Sequence, residues 1–124
     1  GKVRIVGAVV EREGKVLMVE RLKRSRGYFE FPGGKVEEGE TDADALVREL
    51  KEELNVDGTV PPADPVSEGV DGPVQLVCYR AEIAGEPAPT DSSLLSFKWV
   101  ERDQLASIAA PPADSAVIQT LLSQ

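Results

Sequence analysis

Residues 41 to 54 restrict the fold most, because they predict one helix with two chemically different faces. Thr41 is a favourable N-cap residue, and Asn55 follows the last apolar residue, where helices commonly end. The apolar side chains fill one sector of roughly 100° around the helix axis: Ala43, Leu46, Val47, Leu50 and Leu54. The adjacent sector holds the carboxylates of Glu49, Glu52 and Glu53. Such a helix must bury its apolar face against another layer, with a row of carboxylates bordering that contact.

Apolar segments on both sides of this helix predict strands. Residues 3 to 20 are expected to form a hairpin, and residues 28 to 31 a short aromatic strand that ends at Pro32-Gly33-Gly34. Prolines and glycines predict a loop over residues 57 to 73. The rest predicts strands over residues 74 to 83 and 94 to 100, and helices over 103 to 108 and 113 to 122. This order predicts a single α+β domain over residues 1 to 124, with a sheet between helices.

The composition excludes several classes of site and partner. A single cysteine, Cys78, excludes a disulfide within the chain and a four-thiolate metal site. Histidine is absent, which excludes Ser-His-Asp and Cys-His catalysis. The net charge of -8 argues against binding to duplex nucleic acid, and no apolar run reaches the roughly 20 residues of a membrane helix. Because the first residues lack the apolar core of a signal peptide, we expect a cytoplasmic protein.

The three glutamates of the helix favour a bound cation. Glu49 lies three residues before Glu52 and four before Glu53, so the side chains are neighbours on one face. Like charges at this spacing destabilise an isolated helix by roughly 0.2–0.5 kcal/mol per pair. Ligands that are all oxygen select Mg²⁺, Mn²⁺ or Ca²⁺ over zinc, and Arg48 is spaced to pair with Glu52. For the glutamates taken alone, a solvated acidic helix face is the alternative.

A fixed-spacing motif surrounds these glutamates: Gly34-x5-Glu40-x7-Arg48-Glu49-Leu50-x-Glu52-Glu53-x-Asn55-Val56. It resembles the signature of the Nudix hydrolases, with Asn55 in place of the last glycine. Residues 30 to 35 and 111 to 118 resemble stretches of the MutT-type members of that family. The resemblance implies a Nudix fold, in which a mixed β-sheet is sandwiched between α-helices (α/β/α).

The resemblance also implies roles for the residues of the motif. Glu49, Glu52 and Glu53 would hold Mg²⁺, for which Mn²⁺ can substitute, and the carbonyl of Gly33 is a further expected ligand. Arg48 would orient the glutamates, and Glu40 would support the motif loop. Glu49 or Glu53 is the candidate general base, a choice that the sequence leaves open.

Other residues are expected to bind the substrate. Arg21 and Lys35 would contact phosphate, with Lys23, Arg24 and Arg26 as weaker candidates. Asp114 would read the edge of the base, and its alternative role is the N-cap of the last helix. The base pocket would be lined by Phe31, Tyr28 and Leu76, for which packing in the core is the alternative. Asp91 is the candidate for an additional catalytic carboxylate.

The leading hypothesis is an enzyme that hydrolyses a nucleoside triphosphate to a monophosphate and pyrophosphate. Its expected substrates are oxidised or modified nucleotides, such as 8-oxo-dGTP or cytidine nucleotides, which it would remove from the nucleotide pool. The alternatives are a hydrolase of ADP-ribose or another nucleoside diphosphate derivative, a catalytically silent nucleotide-binding module, and an acidic protein-interaction domain. We expect a nucleotide as partner, no duplex nucleic acid, no membrane, and a monomer or weak homodimer.

Overall fold

The computed structural model describes residues 3–21, 27–90, 94–108 and 115–123. Nine strands lie in these ranges: β1 (Val3–Val9), β2 (Glu11–Arg12), β3 (Lys15–Arg21), β4 (Gly33–Lys35), β5 (Asp57–Thr59), β6 (Ser67–Asp71), β7 (Val74–Arg80), β8 (Glu82–Ala84) and β9 (Leu94–Glu101). Three helices accompany them: α1 (Asp42–Leu54), α2 (Leu105–Ile108), which follows a single 3₁₀ turn, and α3 (Ser115–Leu122). The helices predicted over residues 41 to 54, 103 to 108 and 113 to 122 are therefore confirmed. Where the structure describes them, their bounds agree with the prediction to within two residues.

Helix α1 begins and ends with the predicted caps. The Thr41 side chain accepts a hydrogen bond from the backbone N–H of Asp44, and Asn55 closes the helix in the left-handed conformation at φ 54°. The buried side is rotated towards the glutamates relative to the predicted sector: Ala45 and Glu53 are buried, whereas Val47 is exposed. Glu53 therefore lies on the inner side of the helix, where the sequence predicted only a bordering position.

The predicted hairpin over residues 3 to 20 is wrong. Strand β1 is central in a four-stranded sheet of order β4-β1-β7-β6, where it runs antiparallel to β4 and parallel to β7. Only the two-residue β2 forms a hairpin with β3, and β3 pairs with β9 in a second sheet. The apolar run of β1 fits a strand with both faces covered, and the sequence could not tell which strands would be its partners.

Segments rich in glycine and proline contain more strand than predicted. Gly33 and Gly34 belong to β4, whereas residues 28 to 31 form no regular strand and include an isolated bridge between Glu30 and Val19. The predicted loop over residues 57 to 73 contains β5 and β6, and the strand predicted to reach residue 83 ends at Arg80. In the strands that were not predicted, pairing with another strand overrides the local preference for a turn.

Alternate residues of the same strands build two apolar cores on opposite faces. Val6 and Ala8 of β1 pack with α1, whereas Val9 packs with α2 and α3. This arrangement confirms the predicted α/β/α layering. On α3 the residues Val117, Ile118 and Leu121 are buried, but Leu122, predicted for the same face, is 48% exposed. In the part of the chain that the structure describes, none of the helices is long and apolar enough to span a membrane.

The left-handed Asn55 gives a prediction for stability. Asn55→Ala is expected to lower the free energy of unfolding by about 1 kcal/mol, because a side chain that cannot hydrogen-bond locally makes this conformation costly. Asn55→Gly, which restores the glycine of the motif, is expected to cause no loss. Urea unfolding of the two variants measures both effects. Equal losses in both would show that the conformation of residue 55 does not limit stability.

Candidate active site

The two glycines of β4 allow close contacts of this strand with β1 and with α1. Gly33 has a φ of 146°, and a Cβ atom there would lie 2.0 Å from the carbonyl oxygen of Val6. A Cβ atom on Gly34 would lie 2.6 Å from the carboxylate of Glu49. Neither position accepts a side chain without movement, and Glu49 therefore rests directly on the backbone of β4.

Arg48 connects the glutamates of α1 to the loop before it. Its Nε and Nη2 atoms donate to the two carboxylate oxygens of Glu40 at 2.7 and 2.9 Å, and Nη2 also donates to the carbonyl of Lys35 at 3.1 Å. Its Nη1 atom donates to Glu49 at 2.9 Å and to Glu52 at 3.2 Å. One guanidinium thus donates hydrogen bonds to three carboxylates, and the expected pairing of Arg48 with Glu52 is present.

The environment shifts the acidity of two of these glutamates in opposite directions. Hydrogen bonds from Arg48, together with one from the backbone N–H of Glu37, lower the pKa of Glu40 to about 2. Burial raises the pKa of Glu49, and the charge of Glu52 adds to that effect against the pull of Arg48. Glu40 therefore becomes protonated only at low pH, whereas Glu49 is the more basic carboxylate of the two.

Arg21, at the end of β3, forms a buried ion pair with Glu53. The two side chains are 8% and 6% exposed, and Nη1 of Arg21 lies 3.0 Å from one carboxylate oxygen of Glu53. Nη2 donates to the other carboxylate oxygen at 3.2 Å and to the carbonyl of Gly33 at 2.8 Å. Glu53 also accepts a bond from the backbone N–H of Gly33 at 3.4 Å. The structure thus joins β3, β4 and α1 through one guanidinium.

The predicted metal ligands lie along one edge between α1 and β4, but their oxygens contact arginines. Glu49 and Glu52 share Nη1 of Arg48, and Glu53 shares Nη2 of Arg21 with the Gly33 carbonyl. Among the described residues, no three acidic, cysteine or histidine side chains converge closely enough to hold a metal ion. The donors are therefore gathered in two pairs, each around a guanidinium nitrogen.

The remaining predicted residues occupy different environments. Phe31 and Leu76 are buried in the core beneath α3, close to Gly7, whereas Tyr28 is 47% exposed. Lys35 is exposed, and its carbonyl contacts Arg48. Five predicted residues lie outside the described ranges, namely Lys23, Arg24, Arg26, Asp91 and Asp114.

Glu30 was not among the predicted site residues, yet its carboxylate lies 3.9 Å from Nε of Arg21. A signal for it exists, because Glu30 stands between Phe29 and Phe31 and alternation places it on the face opposite to both. The acidic environment of Arg21 thus comes from two glutamates on separate segments.

The Arg48–Glu40 pair gives a prediction on pH. Arg48→Gln is expected to return the pKa of Glu40 from about 2 towards 4.5, as measured by carboxyl NMR titration. Because the folded-state pKa is depressed, the pair stabilises the fold above pH 4.5 and loses this effect as the pH falls towards 2. The unfolding free energy of the variant should therefore depend less on pH in this window. Arg4→Gln, which removes an arginine bound to Asp42, should leave Glu40 unchanged.

The close contact at Gly34 gives a second prediction, with a matched control. Gly34→Ala is expected to push the Glu49 carboxylate aside and to weaken Mn²⁺ binding, measured by the EPR signal of free Mn²⁺. A Cβ atom on Gly58 meets a methyl group of Leu50 at the same 2.6 Å, away from the carboxylates. Gly58→Ala should therefore cost stability while leaving Mn²⁺ affinity unchanged. Equal Mn²⁺ affinities in the two variants would contradict a role of Glu49 in the cation site.

Known proteins share both the sequence and the fold. The NUDIX domain model matches residues 1–121. An 8-oxo-dGTP diphosphatase of Haemophilus influenzae is 30% identical over 131 residues, covering 98% of this chain and 93% of the relative. A CTP pyrophosphohydrolase of Escherichia coli is 48% identical over 60 residues, a match that spans 47% of this chain and 44% of that relative. A structure of MutT, from a study of the Aliivibrio salmonicida and Vibrio cholerae proteins, superposes with a TM-score of 0.77 at 25% identity, covering 98% and 97% of the two chains.

These similarities confirm the resemblance to MutT-type proteins that the motif predicts. They agree with the observed layering of sheets and helices, and the match extends over nearly the whole chain rather than the motif alone. The chain belongs to the Nudix hydrolase family, whose members act on phosphoric anhydride bonds of nucleotides and generally use a divalent metal ion.

Proposed function

We propose that this protein is a Mg²⁺-dependent nucleoside triphosphate pyrophosphohydrolase, which converts a triphosphate and water to a monophosphate and pyrophosphate. The observation that carries the proposal is the edge between α1 and β4, where Glu49 and Glu53 lie against the glycine backbone. Glu52, 57% exposed, extends this row of oxygens towards solvent. The names of the relatives, a CTP pyrophosphohydrolase and an 8-oxo-dGTP diphosphatase, support a triphosphate as the substrate.

The donor set fits Mg²⁺ or Mn²⁺. It consists of carboxylate oxygens and one backbone carbonyl, which are the ligands that these cations prefer. The Gly33 carbonyl and a Glu53 oxygen already share one cationic partner, and glycine at position 34 leaves the space that the Glu49 carboxylate fills. A divalent ion held by Glu49, Glu52, Glu53 and the Gly33 carbonyl would neutralise phosphate charge and make a bound water more acidic.

The chain's own residues would orient the reactants and accept a proton. Arg48 fixes the orientations of Glu40 and Glu49 by hydrogen bonds. These bonds hold the glutamates of α1 in a fixed position relative to the loop that precedes the helix. Glu49 or Glu53 would take the proton from the attacking water. In attack at the β-phosphorus, the water oxygen enters pyrophosphate, and the bridging oxygen leaves with the monophosphate.

We further propose that the substrate is an oxidised or modified nucleotide, such as 8-oxo-dGTP or a cytidine nucleotide. Phe31, Leu76 and Asp114 are our candidates for contacts to the base, with Arg21 and Lys35 for contacts to phosphate. Phe31 and Leu76 are apolar side chains of the core beneath α3, where they are 5% and 7% exposed. Removal of such nucleotides from the pool is the role that this specificity would serve.

The direct test is a product assay on a panel of nucleotides with Mg²⁺. The panel holds the common NTPs and dNTPs, 8-oxo-dGTP, 5-methyl-dCTP and ADP-ribose, and ion-exchange chromatography identifies the products. We expect one triphosphate to give monophosphate and pyrophosphate, with no turnover in excess EDTA. Reaction in ¹⁸O-labelled water should place the label in pyrophosphate if the β-phosphorus is attacked. AMP and ribose 5-phosphate from ADP-ribose alone would contradict the proposed substrate class, and turnover in EDTA would contradict the metal dependence.

Matched variants test the site itself. Glu49→Gln and Glu52→Gln are each expected to lower kcat by at least about a hundredfold, as loss of a metal ligand or a base does. Glu38→Gln removes the charge of an exposed glutamate at a variable position of the motif and should keep full activity. Equal activity in all three variants would contradict the assignment of the site.

A further inference from the structure

The guanidinium of Arg21 occupies the point where two predicted metal ligands meet. Its Nη2 atom lies 2.8 Å from the Gly33 carbonyl oxygen and 3.2 Å from a Glu53 oxygen, and Nη1 lies 3.0 Å from the other Glu53 oxygen. Both residues are buried, with less than one-tenth of their surface exposed. A cationic side chain therefore already compensates the buried end of the carboxylate row.

A guanidinium and a divalent ion compete for these oxygens. Mg²⁺ requires oxygen at about 2.0–2.1 Å and strict octahedral geometry, so an ion on the Gly33 carbonyl and Glu53 would adjoin the Nη2 atom. Two cations this close in a buried site repel each other strongly, because little solvent screens the interaction. Binding of the ion at these two ligands thus requires Arg21 to withdraw.

We propose that Arg21 is an internal counter-cation, which holds Glu53 and the Gly33 carbonyl in place without metal and is displaced when a divalent ion binds. The pair holds the Glu53 carboxylate in one orientation, so the ligands are preorganised before the ion arrives. This inference rests on the cation site of the proposed function. It adds that the divalent ion takes the place of the Arg21 guanidinium at that site. A released Arg21 guanidinium beside the ion favours an anionic phosphate there, which makes metal and nucleotide binding mutually cooperative.

The test is Mn²⁺ affinity without nucleotide, measured by the EPR signal of free Mn²⁺. Arg21→Gln removes the competing charge and is expected to bind Mn²⁺ at least about tenfold more tightly than the wild type, since hydrogen bonds to a charged group no longer have to be broken. The matched control is Arg4→Gln, because Arg4 also makes two hydrogen bonds to one carboxylate, that of Asp42. The control changes the net charge equally, so its affinity should stay close to that of the wild type.

A measurement on the wild type makes the test independent of the folding of the variant. The guanidinium N–H signals of Arg21 in ¹⁵N NMR spectra should be protected from exchange without metal and lose this protection with saturating Mg²⁺.

Arg21→Lys, which keeps a positive charge, should bind Mn²⁺ less tightly than Arg21→Gln.

Three results would overturn the proposal. The first is an Mn²⁺ affinity of Arg21→Gln that is equal to or weaker than that of Arg4→Gln. The second is an Arg21 signal that Mg²⁺ leaves unchanged. The third is an absence of Mn²⁺ binding in every variant, which would also remove the cation site. Because no nucleotide is present, a negative result on the nucleotide panel would reject the proposed substrate and leave this inference standing.

Discussion

The contact between α1 and β4 is the constraint on which the site depends. Glu49 rests where any side chain at position 34 would lie, and Gly33 adopts a backbone conformation that its neighbours in β1 leave open only to glycine. Packing alone therefore requires glycine at both positions, whatever reaction the site carries out. Their absence of side chains brings the backbone of β4 within reach of carboxylates on the helix, and this edge is where we propose that the metal ion binds.

The carboxylates impose a second constraint, since four glutamates of one motif must coexist at close range. Arg48 compensates three of them near the surface, where each ion pair is worth little alone but the shared guanidinium fixes their geometry. Arg21 compensates the fourth in the interior. There, removing one partner would leave an unpaired buried charge and lower the free energy of unfolding by about 3–5 kcal/mol. Arg48 thus compensates the glutamates near the surface, and Arg21 compensates the buried one.

The sequence predicted what is local and failed where distant segments meet. The caps and periodicity of α1, the carboxylate row and the Arg48–Glu52 pair all follow from spacings within one helix. The partners of β1 do not, because an apolar run is equally suited to several neighbours in a sheet. The pairing of Arg21 with Glu53 also joins distant segments, and charge in a loop or at a strand end gives no sign of its partner. The rotation of α1 that buries Glu53 likewise depends on the fit to β4.

The buried Arg21–Glu53 pair is better explained by chemistry than by stability. Replacement of a buried ion pair by apolar groups is often neutral or stabilising, so folding alone gives little reason to place both charges at less than one-tenth exposure. Glu53 is also bonded to the backbone of Gly33, a residue whose conformation is costly for any side chain. A buried arginine, a buried glutamate and a position that accepts only glycine therefore converge at one point. Such convergence is expected where a site must hold oxygens ready for a cation, and not where a core is only being filled.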